Sequence, residues 1–94
     1  MKLRWTRAAL EDLRQVAEYI SARNPQAARR IMAAIRSATN GPLEFPEIGR
    51  PGRVTGTREL IVTGTPFIIP YRIKGGHIDI LRVYHAARKW PEEI

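Results

Sequence analysis

Apolar side chains recur along the 94-residue chain with two different periods, and the change from one to the other divides it. Leu10, Leu13, Val16, Ala17 and Ile20 return every three or four positions, while Glu11, Asp12, Arg14, Gln15 and Glu18 fall largely elsewhere. That spacing predicts an amphipathic helix with a solvated acidic and basic face. Thr6 stands where an N-cap belongs, so the helix should begin at Arg7, after a short strand over Leu3–Trp5. Asn24-Pro25 ends it and opens another. Proline disfavours helical geometry in the residue before it, yet its fixed φ suits the first helical position, and Asn24 is itself a good cap. Ala27, Ala28, Ile31, Ala34, Ile35 and Ala38 give the second helix a face of mostly small residues that would pack closely on the first. Asn40-Gly41-Pro42 is expected to stop it. The two helices form an antiparallel hairpin.

Gly41 to Gly56 is dense in glycine and proline and reads as an ordered surface loop, tacked down by Leu43, Phe45 and Ile48. Strands are then predicted over Thr57–Val62, Phe67–Ile73 and His77–His85, with a turn at Thr63–Pro66 and a two-residue hairpin loop at Gly75-Gly76. With that loop, Ile73 faces Ile78, Arg72 faces Asp79 in a cross-strand ion pair, Tyr71 faces Ile80, Ile69 faces Arg82 and Phe67 faces Tyr84. Neighbours along a strand alternate, so Phe67, Ile69, Tyr71, Ile73, Ile78 and Ile80 make a core face for the helices to cover. Ile68, Pro70, Arg72, Asp79, Leu81, Val83 and His85 make a mixed face, partly open or covered by a partner. Pro70 lacks a donor and demands a bulge or a free N–H side, and a one-residue slip there would invert every assignment beyond it.

Composition adds a partner class. Lys+Arg is 16 against 9 Asp+Glu, a net charge of +7, and only Lys2, Lys74 and Lys89 are lysines. Arginine's planar fork suits two-point contact with carboxylate or phosphate, which points to an acidic protein segment, nucleic acid, or both. There is no cysteine, and two histidines alone form no metal-ligand pattern, so neither a metal nor another cofactor is expected. No apolar run is long enough to span a membrane, and Met1–Trp5 is too short and charged for a secretory signal, so a single cytoplasmic domain over residues 1–94 is the expectation.

The order of local signatures resembles the RelE/ParE toxin superfamily. They are Trp5-Thr6-Arg7-Ala8-Ala9 with Asp12-Leu13; Tyr19-Ile20 through Asn24-Pro25-Gln26-Ala27-Ala28; Gly49-Arg50-Pro51-Gly52 with Gly56-Thr57-Arg58-Glu59-Leu60; and Ile80 through Pro91. The resemblance implies an α+β fold: an N-terminal strand, a helical hairpin, a three-stranded antiparallel sheet and a short C-terminal tail. It implies a type II toxin–antitoxin pair in which a cognate antitoxin, ParD-like, wraps the toxin and alone carries it to operator DNA. Arg53, Arg58, Arg72, Leu81 and Val83 are the expected antitoxin contacts.

Two killing mechanisms remain open within that superfamily. RelE-like members cut mRNA on the ribosome, which requires a base, a charge clamp and an acid. Arg72, Arg82, Tyr84 and His85 are the candidates, but His85 falls on the opposite strand face from Arg82 and Tyr84, and a strand-end histidine has an ordinary structural role. ParE-like members poison DNA gyrase and need a rigid basic surface instead of a catalytic group. The endings His85-Ala86-Ala87-Arg88-Lys89-Trp90 and Gly56–Leu60 resemble these more, with Arg82, Arg88, Lys89 and Trp90 as target contacts, although Trp90 would equally serve to pack the tail on the first helix. A non-toxic basic nucleic-acid-binding or adaptor domain would also explain the charge.

Overall fold

The computed structural model describes residues 1–87. Strand β1 (Lys2–Trp5) leads into helix α1 (Arg7–Arg23) and helix α2 (Pro25–Glu44). Thr6 and Asn24 cap them as expected, accepting hydrogen bonds from Ala9 N–H and Ala27 N–H at 3.1 Å each. A two-residue strand β2 (Arg50–Pro51) follows, then β3 (Arg58–Ile61), β4 (Phe67–Lys74), β5 (His77–Ile80) and β6 (Tyr84–His85). The sheet runs β1-β5-β4-β3-β2, with β6 on β4 beyond the end of β5. The fold is thus α+β, but the sheet is larger than a three-stranded antiparallel one: β1 joins it in parallel alongside β5.

The core lies between the helical hairpin and one sheet face. Ile69, Tyr71, Ile78 and Ile80 are wholly buried there with Ala9, Ile35 and Val62. Each such large side chain contributes about 1.5–3 kcal/mol over its exposed state. Gly75 and Gly76 turn the β4–β5 hairpin with φ of 55° and 76°, the left-handed pair that matches strand twist and that side chains disfavour. The predicted register therefore holds from Lys74↔His77 to Tyr71↔Ile80.

Beyond Ile80 it slips. Ile68 faces Tyr84 and Phe67 faces His85, one residue later than an unbroken hairpin would place them. The extra residue is a bulge in Leu81–Val83, opposite Pro70. Leu81 N–H donates to Pro70 O at 2.9 Å, so Pro70 turns its donorless edge toward the bulge, where the ladder asks nothing of it. The slip corrects three assignments. Val83 belongs to the main core, His85 lies on the helical side, and Tyr84 lies on the open face against Ile68 and Val54.

Other expectations fail for nameable reasons. Helix α2 does not stop at Asn40-Gly41-Pro42: Pro42 is buried inside it and Phe45 N–H still reaches Gly41 O at 2.9 Å. Burial of the ring offsets the hydrogen bond that proline cannot make. Leu43, Phe45 and Ile48 do not tack the loop down; they are exposed, and Tyr71 holds it from below. Leu10 and Ile73, placed in the core by periodicity, are 52% and 40% exposed, because Ala9 takes the inner position on α1 and Ile73 extends to the exposed end of the hairpin.

Candidate functional site

The sheet face away from the helices is built on two buried carboxylates. Asp79 on β5 accepts from Arg4 Nε at 2.8 Å and from Arg72 Nε at 3.1 Å; the Arg72–Asp79 pair is the one that the hairpin register predicts. The two guanidiniums hold the Asp79 carboxyl below the usual carboxylate range, with Arg4 the larger influence. Glu59 on β3 accepts from Arg50 at 3.0 Å and from the Arg53 backbone N–H at 3.2 Å, with the Arg53 guanidinium 3.9 Å away. Both acids are nearly inaccessible, while the side chains of Arg4, Arg50, Arg53 and Arg72 are 42–54% exposed. Four arginines thus stand on two acids, so the face keeps a net positive charge with its guanidiniums fixed in place. Arg53 also lies over the Tyr84 ring, 5.9 Å from its centroid.

Tyr71 fixes the loop that carries Arg50 and Arg53. Its hydroxyl accepts from Gly49 N–H at 2.9 Å and donates to Pro46 O at 2.6 Å. Gly49 must be glycine, since a Cβ there would sit 2.6 Å from the Tyr71 ring. Arg58 donates to Gly49 O at 2.8 Å and to Glu47 O at 3.2 Å. It braces this loop and is less available to a partner than Arg53 or Arg72.

A third buried carboxylate sits under the helices. Asp12 on α1 accepts from Arg82 Nε at 2.6 Å, from Arg82 Nη2 at 2.9 Å, and from Val83 N–H at 3.0 Å. The helical pattern alone puts Asp12 on a solvated face with Glu11 and Glu18. Those two do pair with Arg14, and Arg14 drives the Glu11 carboxyl down to about 2. Asp12, however, is buried. The missed signal is spacing: Asp12 lies three residues after Ala9 and four before Val16, on the inner stripe.

The residues expected to form a nuclease centre are therefore dispersed. Arg82 reaches Asp12 on the helical side. His85 meets Phe67 edge-on there, ring centroids 6.0 Å apart. Tyr84 is buried on the open face; burial first and Glu59 second push its phenol above the ordinary value, against Arg53 and Arg50. Arg72 is held by Asp79. Of the expected antitoxin contacts, Arg53 and Arg72 do lie on the open face, Leu81 is half-buried at the bulge, and Val83 is 1% exposed and offers no surface. Arg88, Lys89 and Trp90, the expected target contacts besides Arg82, lie outside the described residues. Glu59 is absent from the sequence-based candidates, although its alternation with Leu60 places it on the face away from the core of a short strand, beside the arginines of the loop.

Two apolar grooves flank this sheet. One, of about 480 Å³, runs between α1 and the β6 end, lined by Val16, Tyr19, Ile20, Phe67 and His85 among others. The other, of about 640 Å³, runs between α2 and the β3 edge, past Ala34, Ala38, Ile48, Leu60 and Ile61. Among the described residues no helix is long and apolar enough to cross a membrane, and no cluster of three or more His, Asp or Glu could hold a metal ion.

Comparison with known proteins places this architecture. The solved chromosomal ParDE system of P. aeruginosa contains a chain similar over 90% of this one and 95% of its own length, at 34% identity and a TM-score of 0.79. The RelBE2 toxin–antitoxin complex of Mycobacterium tuberculosis matches over 93% and 92%, at 30% identity and a TM-score of 0.63. Protein Y4kP of Sinorhizobium fredii is 44% identical over 99% of this chain and 96% of its own. Toxin RelE2 of Caulobacter vibrioides is 39% identical over 89% of this chain and 93% of its own. The family model for the ParE toxin of the type II toxin–antitoxin system parDE matches residues 3–90, and the chain belongs to that family of toxins.

Proposed function

We propose that this toxin acts on DNA gyrase and is neutralised by a ParD-like antitoxin. The observation that carries the reading is the dispersal of the nuclease parts: Arg82 and His85 face the helices, Tyr84 is buried on the other side, and Arg72 is engaged by a carboxylate. A phosphodiester cleavage centre requires its acid, base and clamp within hydrogen-bond reach of one substrate. A protein-directed poison requires a rigid complementary surface, and the fixed guanidiniums of Arg4, Arg50, Arg53 and Arg72 supply one. The same face and its flanking grooves suit an acidic, amphipathic antitoxin segment that folds as it binds, with nanomolar or tighter affinity for the gene product encoded alongside. The similarity to a ParDE system supports this partner class.

A RelE-like mRNA endonuclease is the second reading. It is favoured by the grouping of Arg53, Glu59 and Tyr84 on one face and by the names of two relatives, RelE2 and RelBE2. Against it, both Glu59 oxygens are already occupied and the Tyr84 ring is covered. Expression without antitoxin separates the two. The gyrase reading expects an SOS response and gyrase-linked DNA breaks with bulk mRNA intact, little effect of Tyr84→Phe, and weakened toxicity on removing residues 88–94. Early codon-phased mRNA cuts without DNA damage would overturn it. So would a fall in cleavage of about 10²–10⁴-fold in Tyr84→Phe or His85→Ala.

A further inference from the structure

We propose that the outer face of α2 is a docking surface for the phosphate backbone of duplex nucleic acid. The described arginines fall into two populations. Arg4, Arg14, Arg50, Arg53, Arg58, Arg72 and Arg82 each have a carboxylate within 4 Å. Arg7, Arg23, Arg29, Arg30 and Arg36 are exposed with no carboxylate within 4 Å among the described residues; Arg7 and Arg23 stand at opposite ends of α1, Arg23 over the Tyr19 ring, and the other three share α2. The largest group of arginines left without a carboxylate therefore lies on α2, which carries no Asp or Glu before Glu44.

The placement is directional. At 100° per residue, Gln26, Arg29, Arg30, Ala33, Arg36, Ser37 and Asn40 fall within an arc of about 120°, opposite the buried Ile31, Ile35 and Thr39. All seven are exposed. Arg29 and Arg36 lie two turns apart, about 10 Å along the axis, with Arg30 beside them.

The side chains around these arginines select the partner. The stripe holds no large apolar residue. A protein partner would find nothing there to bury, and interfaces draw their energy from buried anchors. No aromatic ring is present for unpaired bases to stack on, which disfavours a single strand. Arginines interleaved with Gln26, Ser37 and Asn40 are the donors that bind phosphate and sugar along a duplex without reading its sequence. The face lies on the opposite side of the molecule from the open sheet face, so a duplex there would not compete with an antitoxin on the sheet. The residues assigned above to either killing mechanism do not include these three arginines.

The test is fluorescence anisotropy of the purified chain on a duplex of about 20 base pairs and arbitrary sequence, as DNA and as RNA, over roughly 50–200 mM salt. The variant Arg29→Gln/Arg30→Gln/Arg36→Gln is compared with the charge-matched Lys2→Gln/Arg23→Gln/Lys74→Gln. The three α2 side chains lack ion pairs, so the first variant is expected to melt like wild type. It should bind more weakly, with the slope of log K against log salt reduced by about 0.9 for each phosphate that is no longer neutralised. The control should keep most of both. Equal losses in the two variants would reduce the effect to net charge and overturn the proposal. Unchanged duplex binding in the α2 variant, or loss of poly-glutamate binding with duplex binding intact, would overturn it too.

Discussion

Replacing Asp12 by alanine is expected to cost about 3–5 kcal/mol, the usual penalty for removing one partner of a buried ion pair. The carboxylate accepts three hydrogen bonds, two from Arg82 at 2.6 and 2.9 Å and one from the Val83 N–H at 3.0 Å. The two side chains are only 8% and 15% exposed, so water gives little compensation. A domain of this size is stable by only about 5–14 kcal/mol in total, so the loss would be a large fraction of the whole. Asp12→Asn keeps the shape and one acceptor and should cost less, about 1–3 kcal/mol. Replacing both partners, Asp12→Leu with Arg82→Met, should recover much of the loss, because no buried charge is then left unbalanced. Urea melts of wild type, Asp12→Leu, Arg82→Met and Asp12→Leu/Arg82→Met form a double-mutant cycle, read at equal m-value beside the two Asp12 variants above. A cost below about 1 kcal/mol for Asp12→Ala, or a coupling energy near zero, would refute the idea that this pair pins the bulge to α1.

Ile80→Ala should destabilise by about 2–5 kcal/mol in the same assay, since Ile80 is wholly buried beside Tyr71; a mild effect would be incompatible with the β4–β5 register. Gly49→Ala should cost about 1–3 kcal/mol through overpacking, because the new Cβ would meet Tyr71 Cε1 at 2.6 Å and Glu59 O at 3.0 Å. Asp79 has a lowered folded-state pKa, so its contribution is fully present above the unfolded carboxylate value of about 3.9 and fades as pH falls through the folded value. Acid titration of unfolding should therefore be shallower in Asp79→Asn than in wild type, and identical acid slopes would remove Asp79 from the account.

Where local rules act alone, the chain is readable. Thr6 and Asn24 cap, Pro25 opens α2, Gly75-Gly76 turns the hairpin, and Arg72 meets Asp79 because each depends on neighbours a few residues away. The misses come from long-range demands. Pro42 stays helical because the core has a place for its ring. The pairing of β1 with β5 in parallel leaves no mark in either strand. The bulge is legible as a need of Pro70, but not in direction, and that one residue decides whether Tyr84 or His85 and Val83 face the helices. For the same reason the partner face is legible in outline through its arginines, whereas Asp12 and Glu59 are marked only by their spacing, and which arginines they tie down emerges only in the packed structure.

The pairing of Lys2 with His77, and so on to Trp5 with Ile80, also fixes when this molecule comes into being. Strand β1 borders one that leaves the ribosome 75 residues after it, and the Thr6 hydroxyl that caps α1 donates to Ile80 O across nearly the same gap. At about 5–20 residues per second the nascent chain waits roughly 4–15 seconds with β1 unmatched. During that interval α1 and α2, whose contacts are local, form ahead of the sheet. Arg4 has no Asp79 to stand on until β5 is made, so the arginine face proposed above for contact with a partner is among the last features to appear. Under the proposed reading, synthesis itself leaves several seconds in which an antitoxin would meet a chain whose contact face is not yet assembled.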